Sequence, residues 1–349
     1  MKKFVVGIPT HAEGAVLEDC VESVIREIRT TNIEVDDTKI LLSLSGVSRF
    51  SPLTSDTFTV AHKLKLKYDS LIDIISSDKG KVNAVNDIFK KAKDFTNYLV
   101  MADSDIFLDK GSFKEILNPL FSDEYVLVRG KSSFYGGSDL SKYYKHELKR
   151  RNILSTGNGM SNHRLVSGPL YGLNLDAISY AFNKFGFIGE GSPRIPNSII
   201  CEDQFIAEIV GGTFDDNKMK KSNKAIYNHR EFNIEDGSLM SYWIRGIQGG
   251  IQLDRMGFRN AVYRGPTMTE FVPDNSIEIY DFDNNIVDKL DIEMSSNSIQ
   301  KIVPKFISLE DKLRFQQNLQ YTARELLDKS LSPEYWKPLN KNLSCEKNG

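Results

Sequence analysis

Cysteine, histidine and long apolar runs are all scarce in this chain. Its 349 residues include three cysteines, Cys20, Cys201 and Cys345. They are odd in number and far apart, which excludes a disulfide framework or a zinc site of closely spaced ligands and fits a reducing interior. No apolar stretch approaches the roughly 20 residues of a membrane-spanning helix. The opening MKKFVVGIPT carries about five apolar residues after its lysines, too few for the roughly 7–15 of a secretory signal. These absences predict a soluble, cytoplasmic protein and leave peripheral membrane contact open. Charge of one sign is missing too. With 45 Lys and Arg against 47 Asp and Glu, the formal charge is -2, so bulk electrostatics call for neither nucleic acid nor an anionic surface. Internal repeats and low-complexity tracts are also absent.

What the chain has is alternation. FVVGI (4–8) reads as a strand, and Leu17, Val21, Val24 and Ile28 follow at helical spacing. KILLSL (39–44) and LIDIIS (71–76) are two more strands, and Val82, Val85, Phe89 and Ala92 share one helical face. YLVMA (98–102) is a fourth strand, FKEILNPLF (113–121) a helix up to Pro119, and YVLVR (125–129) a further strand. Such a series predicts a mainly parallel central sheet with flanking helices, and these sheets bind ligands beyond the carboxyl ends of their strands. From about 131 to 175 the composition turns to Gly, Ser, Asn, Tyr and Lys, suited to loops that close over a ligand or to an ordinary surface excursion. Within it, SKYYKHELKRR (141–151) is a solvated helix face or a contact for an anionic partner. Near the end, Leu309, Leu313, Leu319, Ala323, Leu326 and Leu327 mark a helix capped by Ser308 and Asp311. The expected division is a domain over 1–260 and a partly helical C-terminal extension over 261–349.

Three short stretches could carry chemistry. Asp103 and Asp105 end an apolar strand. Two carboxylates one residue apart can hold Mg²⁺ or Mn²⁺, whose remaining ligands come from diphosphate oxygens, or they can simply cap a turn. Asp78, Lys79, Gly80, Lys81 and Asn83 precede a helix; lysines and free N–H groups there suit phosphate oxygens, or form a plain polar turn. Glu202 and Asp203 open the amphipathic run Phe205, Ile206, Ile209, Val210. They are either favourable charge at a helix start or a general base facing a cleft.

The ordered set VGIPTHAEG, DKGKVNAVN, MADSD, SGPLYGLNLDAI, CEDQFIAEIVGG and YWIRGIQGGIQLDR resembles the family 2 glycosyltransferases of the GT-A, Rossmann-like fold over roughly residues 3–260. The resemblance implies sugar transfer from a nucleotide-diphosphate donor. Pro9, Thr10, His11 and Glu13 occupy the loop that touches the nucleotide base in that family, and Gly80, Lys81, Ala84 and Asn86 match a stretch beside the sugar nucleotide. Asp103 and Asp105 match the metal motif, with Mn²⁺ or Mg²⁺ the expected cofactor; His229 suits a further metal position or a diphosphate contact, or is a surface or packing histidine. Asp203 matches the base of an inverting transfer. Donor-binding positions carried over are Pro9, Thr10, Glu13, Asp78, Lys81, Asp103 and Ser104.

The chain departs from that pattern in two places. The second strand runs into LLSLSGVS with no carboxylate where the family commonly holds uracil. Arg245, Gln248, Gln252 and Arg255 only echo the Gln-x-x-Arg-Trp signature of processive members. A non-processive transfer to a glycan, lipid-linked or protein acceptor is therefore expected. Tyr242 and Trp243 suit sugar stacking or core packing, and His163 and Arg164 suit phosphate contact or the surface. A non-catalytic sugar- or nucleotide-binding relative and a sugar nucleotidyltransferase are the alternatives. The latter would open on a Gly-rich phosphate loop, which IPTHAEG is not.

Overall fold

The computed structural model describes residues 3–31, 37–134, 168–197, 199, 201–214, 216–229, 277–280 and 286–290. The chain divides into two compact units, one drawn from 1–148, 157–197 and 202–231 and the other from 149–156, 198–201 and 232–349. In the first unit β1 (Phe4–Thr10) leads through α1 (Gly14–Thr30), β2 (Thr38–Ser45), α2 (Ser55–Lys67), β3 (Ile72–Ser77) and α3 (Lys81–Lys93) to β4 (Tyr98–Ala102). Next come β5 (Ile106–Leu108), α4 (Ser112–Phe121), β6 (Leu127–Phe134), β7 (Leu170–Asn174) and α5 (Leu175–Lys184). Two-residue strands β8 (Ile188–Gly189) and β9 (Ser192–Pro193) precede α6 (Glu202–Phe214) and β10 (Met219–His229). In the second unit the described residues include an antiparallel hairpin, β11 (Ile277–Tyr280) and β12 (Ile286–Leu290).

The main sheet has the order β3-β2-β1-β4-β7-β6-β10-β5. Strands β3, β2, β1 and β4 are parallel, as are β6 and β10. The intervening β7 is antiparallel to both neighbours, and β5 is antiparallel to β10. Period-two alternation decides which helices cover each face. Phe4, Val6 and Ile8 of β1 join Leu17, Val21, Val24 and Ile28 of α1 in one core, which also takes in α2 and α4. On the opposite face Phe182 of α5 packs edge-to-face on Phe89 of α3 and on Phe205 of α6, with ring centroids 6.4 and 5.9 Å apart. Burying side chains of this size stabilises by about 1.5–3 kcal/mol each. The layers thus follow from the spacing of apolar residues.

The predicted mainly parallel α/β sheet with helices on both faces is present, with corrections in detail. Pro119 does not end its helix; α4 continues to Phe121, because a proline in the last turn removes only a terminal backbone bond. The strand expected to stop at residue 129 runs on to Phe134. The helix expected over 309–327 lies outside the described residues. Among the described residues no helix is long and apolar enough to cross a membrane.

The order 3-2-1-4 has its switch point between β1 and β4, where open α/β sheets offer a crevice. Pairing of β1 with β4 runs from Val5–Leu99 to Gly7–Met101, whereas pairing with β2 continues to Thr10–Leu44. Pro9 therefore falls beyond the β4 ladder, where its missing N–H costs no bond on that side. The two strands part there, and Asp103 N–H turns instead to the Pro169 carbonyl at 2.8 Å.

Candidate functional site

At this crevice three chain segments converge on one ammonium group. Lys81, the first residue of α3, places Nζ 2.8 Å from Asp103 Oδ1 and 2.8 Å from Glu202 Oε1. Glu202 is almost wholly buried at the start of α6, while Lys81 keeps about a third of its side chain exposed. Burial works against the Lys81 charge, but Asp103, Glu202 and Asp203 outweigh it and hold its pKa well above the ordinary lysine value. The cation joins the end of β4 to the start of α6.

Asp203 is the next residue along. Its Oδ2 lies against Gly168, so closely that a Cβ at that position would come within 2.5 Å. Burial, and then the neighbouring Glu202 carboxylate, push the Asp203 pKa up to about 7, against the pull of Lys81. A carboxyl poised near neutrality can take up or release a proton at working pH. Tyr171 of β7 feels the same group. Burial and then Glu202 raise its hydroxyl pKa well above normal, so it stays protonated.

Asp103 and Asp105 differ in their surroundings. Asp103 is paired with Lys81, and its carbonyl accepts from the buried Cys20 thiol at 3.3 Å. Asp105 is half-buried, and its carboxylate has no hydrogen bond or ion pair among the described residues. Burial and then the Asp105 carboxylate push the Cys20 thiol up, keeping it neutral. Ser104 is buried between the two carboxylates. The turn is held from below, where Ser23 Oγ accepts from Leu108 N–H at 3.2 Å and Arg26 donates to the Leu108 carbonyl.

The loop after β1 and the turn before α3 meet at Ser45. The Ser45 hydroxyl accepts from Gly80 N–H at 2.7 Å, and its carbonyl lies 2.6 Å from His11 Nδ1. Gly80 has φ +120°, a conformation open to glycine. Glu13 turns inward, its Oε2 accepting from His11 N–H at 2.6 Å, so it shapes the loop. Thr10 Oγ1 is buried at the strand end with no hydrogen-bond partner among the described residues. Pro9 is buried and Asp78 exposed. Asn86 exchanges two 2.8 Å bonds with the Ile195 backbone and so pins that segment to α3, while Ala84 packs in the core.

His229 ends β10, and its backbone pairs with Ile106, one residue after Asp105; its side chain lies outside the described residues. His163, Arg164, Tyr242, Trp243, Arg245, Gln248, Gln252 and Arg255 also lie outside them. Among the described residues no group of three or more His, Cys, Asp and Glu side chains forms a ready metal cage. A pair of carboxylates, one unpaired, is the donor set of an ion that takes its other ligands from a bound diphosphate. Gly168, Tyr171 and Ser45 are members of the site that sequence reasoning passed over. Gly168 and Tyr171 fall inside the SGPLYGLNLDAI stretch, but their roles depend on β7 lying antiparallel beside β4.

Residues 5–178 match the model of the family described as "Glycosyl transferase family 2". The chain carries a family 2 glycosyltransferase domain. Among solved structures it is similar to the mannosyltransferase PcManGT from Pyrobaculum calidifontis in complex with GDP-Man and Mn²⁺. The two are 12% identical over 98% of this chain and 87% of that one, with a TM-score of 0.50. TarS 1–349 of S. aureus in complex with UDP-GlcNAc is 11% identical over 98% of this chain and 87% of that chain, at a TM-score of 0.47. No curated protein matches the sequence. At such identities the likeness to PcManGT is one of fold, and the fold is GT-A.

Proposed function

We propose that this protein moves a sugar from a nucleotide-diphosphate donor to an acceptor hydroxyl, one sugar at a time and with inversion, in a reaction that depends on Mn²⁺ or Mg²⁺. The observation that carries this reading is the convergence of Asp103, Glu202 and Asp203 on Lys81 at the switch point of the sheet. In this reading Asp105 and Asp103 hold the cation, with His229 as a further candidate ligand. The half-buried Asp105 carboxylate, without a partner among the described residues, fits that task. When bound, the metal neutralises the diphosphate leaving group. PcManGT, which shares the fold, was solved in complex with both Mn²⁺ and a nucleotide sugar, in agreement with this assignment.

Asp203 is the proposed general base. Raised to about 7, its carboxyl is half ionised near neutral pH and strong enough as a base to take the acceptor proton at Oδ2. Lys81 fixes Glu202 and Asp103 so that the two carboxylate groups keep their separation, and its charge favours the ionised form of Asp203. The unpartnered Thr10 hydroxyl, with the Gly80 turn, is the proposed contact for the donor's nucleotide. Residues 1–260 would form the transfer domain and 261–349 an extension reading the acceptor.

The test is a thermal-shift panel of nucleoside diphosphates and sugar nucleotides, with and without Mn²⁺ or Mg²⁺, on the parent and on Asp105→Ala. A ligand that binds the folded state raises the melting temperature with its degree of saturation. A metal-dependent shift from one nucleotide, absent in the variant, is expected. A folded parent that no nucleotide shifts would refute the reading.

A further inference from the structure

β5 is the last strand of the main sheet and pairs on one side only, with β10. Asp109 N–H donates to the Ile226 carbonyl at 3.0 Å, and Phe107 pairs with Asn228, so the odd-numbered residues here turn their backbone groups toward β10. Successive residues alternate, and the N–H and carbonyl of Leu108 therefore point away from the sheet. An open edge of this kind needs cover. α1 provides it with side chains rather than with a strand. The Ser23 hydroxyl accepts from Leu108 N–H at 3.2 Å, and Arg26 donates to the Leu108 carbonyl.

The same stripe of α1 reaches past both ends of β5. Cys20 donates its thiol to the Asp103 carbonyl at 3.3 Å, and the Asp103 and Asp105 carboxylates both act on its sulfur. Glu27, wholly buried, accepts from Phe113 N–H at 3.3 Å at the start of α4. Cys20, Ser23 and Glu27 stand three and four residues apart, so they line one face of the helix. Ser23 gives its own proton to the Cys20 carbonyl at 2.8 Å, which aims its oxygen lone pairs at Leu108. One helix thus grips the chain at residues 103, 108 and 113, with Asp105 held between the first two.

Two carboxylates that are to share a cation repel each other until it arrives, and a turn free to relax would spread them apart. We propose that Cys20 and Ser23 are positioning residues of this turn. Through the Asp103 carbonyl and the Leu108 N–H they hold the Asp103 and Asp105 carboxylates at the spacing one divalent cation requires, on the reading above that these two bind the metal. The strand they anchor also sets the register of His229, whose backbone pairs with Ile106. Groups that orient metal ligands from behind are worth about 10–100-fold in metal affinity when they act on the ligand side chain itself. Cys20 and Ser23 act on the backbone beside the ligands, so a smaller factor is expected of each.

The experiment titrates Mn²⁺ into the full chain, alone and with UDP or GDP, and follows the electron paramagnetic resonance signal of free hydrated Mn²⁺, which is lost on binding. Parent, Asp105→Ala, Cys20→Ala, Cys20→Ser, Ser23→Ala and Val24→Ala are compared, each with a urea unfolding curve. Val24 is a core residue of the same helix, and its truncation costs stability but none of these hydrogen bonds. The expected result is a Mn²⁺ dissociation constant about three- to tenfold larger in Cys20→Ala and Ser23→Ala. Val24→Ala should keep the parent value whatever its stability, and Cys20→Ser should recover it, since its hydroxyl can donate to the same carbonyl. Mn²⁺ that binds the parent, is lost from Asp105→Ala and binds Cys20→Ala and Ser23→Ala as it binds the parent overturns the proposal and leaves the metal reading in place. A loss in Val24→Ala as large as in those two also overturns it, because stability alone would then account for the effect. A parent that takes up no Mn²⁺ with either nucleotide, or an Asp105→Ala variant that binds it unchanged, overturns both.

Discussion

Gly168 faces Asp203 with so little room that a Cβ there would lie 2.5 Å from Oδ2. A methyl group at this position must push the carboxylate aside. In the proposed mechanism Asp203 meets the acceptor proton, and a misplacement of about 1 Å in a reacting group can cost on the order of a hundredfold in rate. Gly168→Ala should therefore lower kcat by about ten- to a hundredfold and leave the metal-dependent nucleotide shift intact. Unchanged kcat would show that Asp203 does not act from this position.

Asp203 also sets a pH dependence whose sign can be worked out. Its folded pKa of about 7 stands above the ordinary value of 3.8, so the folded state holds a proton that the unfolded state has released between those limits. Stability must then fall as pH rises from about 4 to about 7, by roughly 1.4 kcal/mol per pH unit crossed for one proton. Activity should move the opposite way, rising with pH through about 7 as the base ionises. Asp203→Asn should flatten this part of the stability profile and lower kcat by about 10²–10⁴. Melting curves and initial rates over pH 5–9 check both slopes.

Much of this arrangement is legible in the chain, for reasons that differ by residue. The first four strands are visible as short apolar runs, and the two helices around 17–28 and 82–92 because one face of each is apolar at a fixed period. YLVMA coincides with β4 because a strand buried on both faces has no polar residue to blur it. β10 is harder to see, since MKKSNKAIYNH is mostly polar and a bulge interrupts it between its buried apolar residues Met219 and Tyr227. Asp103 and Asp203 stand out as acids flanking apolar runs. Lys81 reads as a phosphate ligand from its Gly-Lys turn, yet here it pairs with two carboxylates, a relationship between distant parts of the chain that no local pattern carries. Gly168 escapes for the same reason.

The turn before α3 should respond to a small change in β2. Ser45 Oγ accepts from Gly80 N–H at 2.7 Å and donates to the Asp78 carbonyl at 3.3 Å, so one hydroxyl holds both sides of the turn. Ser45→Ala removes both bonds at a net cost of about 0.5–1.5 kcal/mol each. The melting temperature should fall by a few degrees. The KM for the sugar nucleotide should rise more than kcat falls, because the turn contacts the donor in the proposed mechanism. Steady-state kinetics with varied donor separate these two effects.

Lys81 should behave as an internal cation whose loss a metal can partly repair. Lys81→Met leaves the Asp103 and Glu202 carboxylates without the ammonium now 2.8 Å from each. Breaking a fully buried pair costs about 3–5 kcal/mol. Lys81 is a third exposed, so solvent screening reduces the expected loss to about 1–3 kcal/mol. Because Lys81 pulls the Asp203 pKa down, its removal should also carry the acidic limb of the rate profile to higher pH. Mn²⁺ should then raise the melting temperature of the variant by more than it raises that of the parent, since a divalent ion near Asp103 restores the positive charge the substitution takes away. Equal Mn²⁺ shifts in the two proteins would mean that the metal and the ammonium do not share a field, and the assignment of Asp103 to the cation site would have to be abandoned.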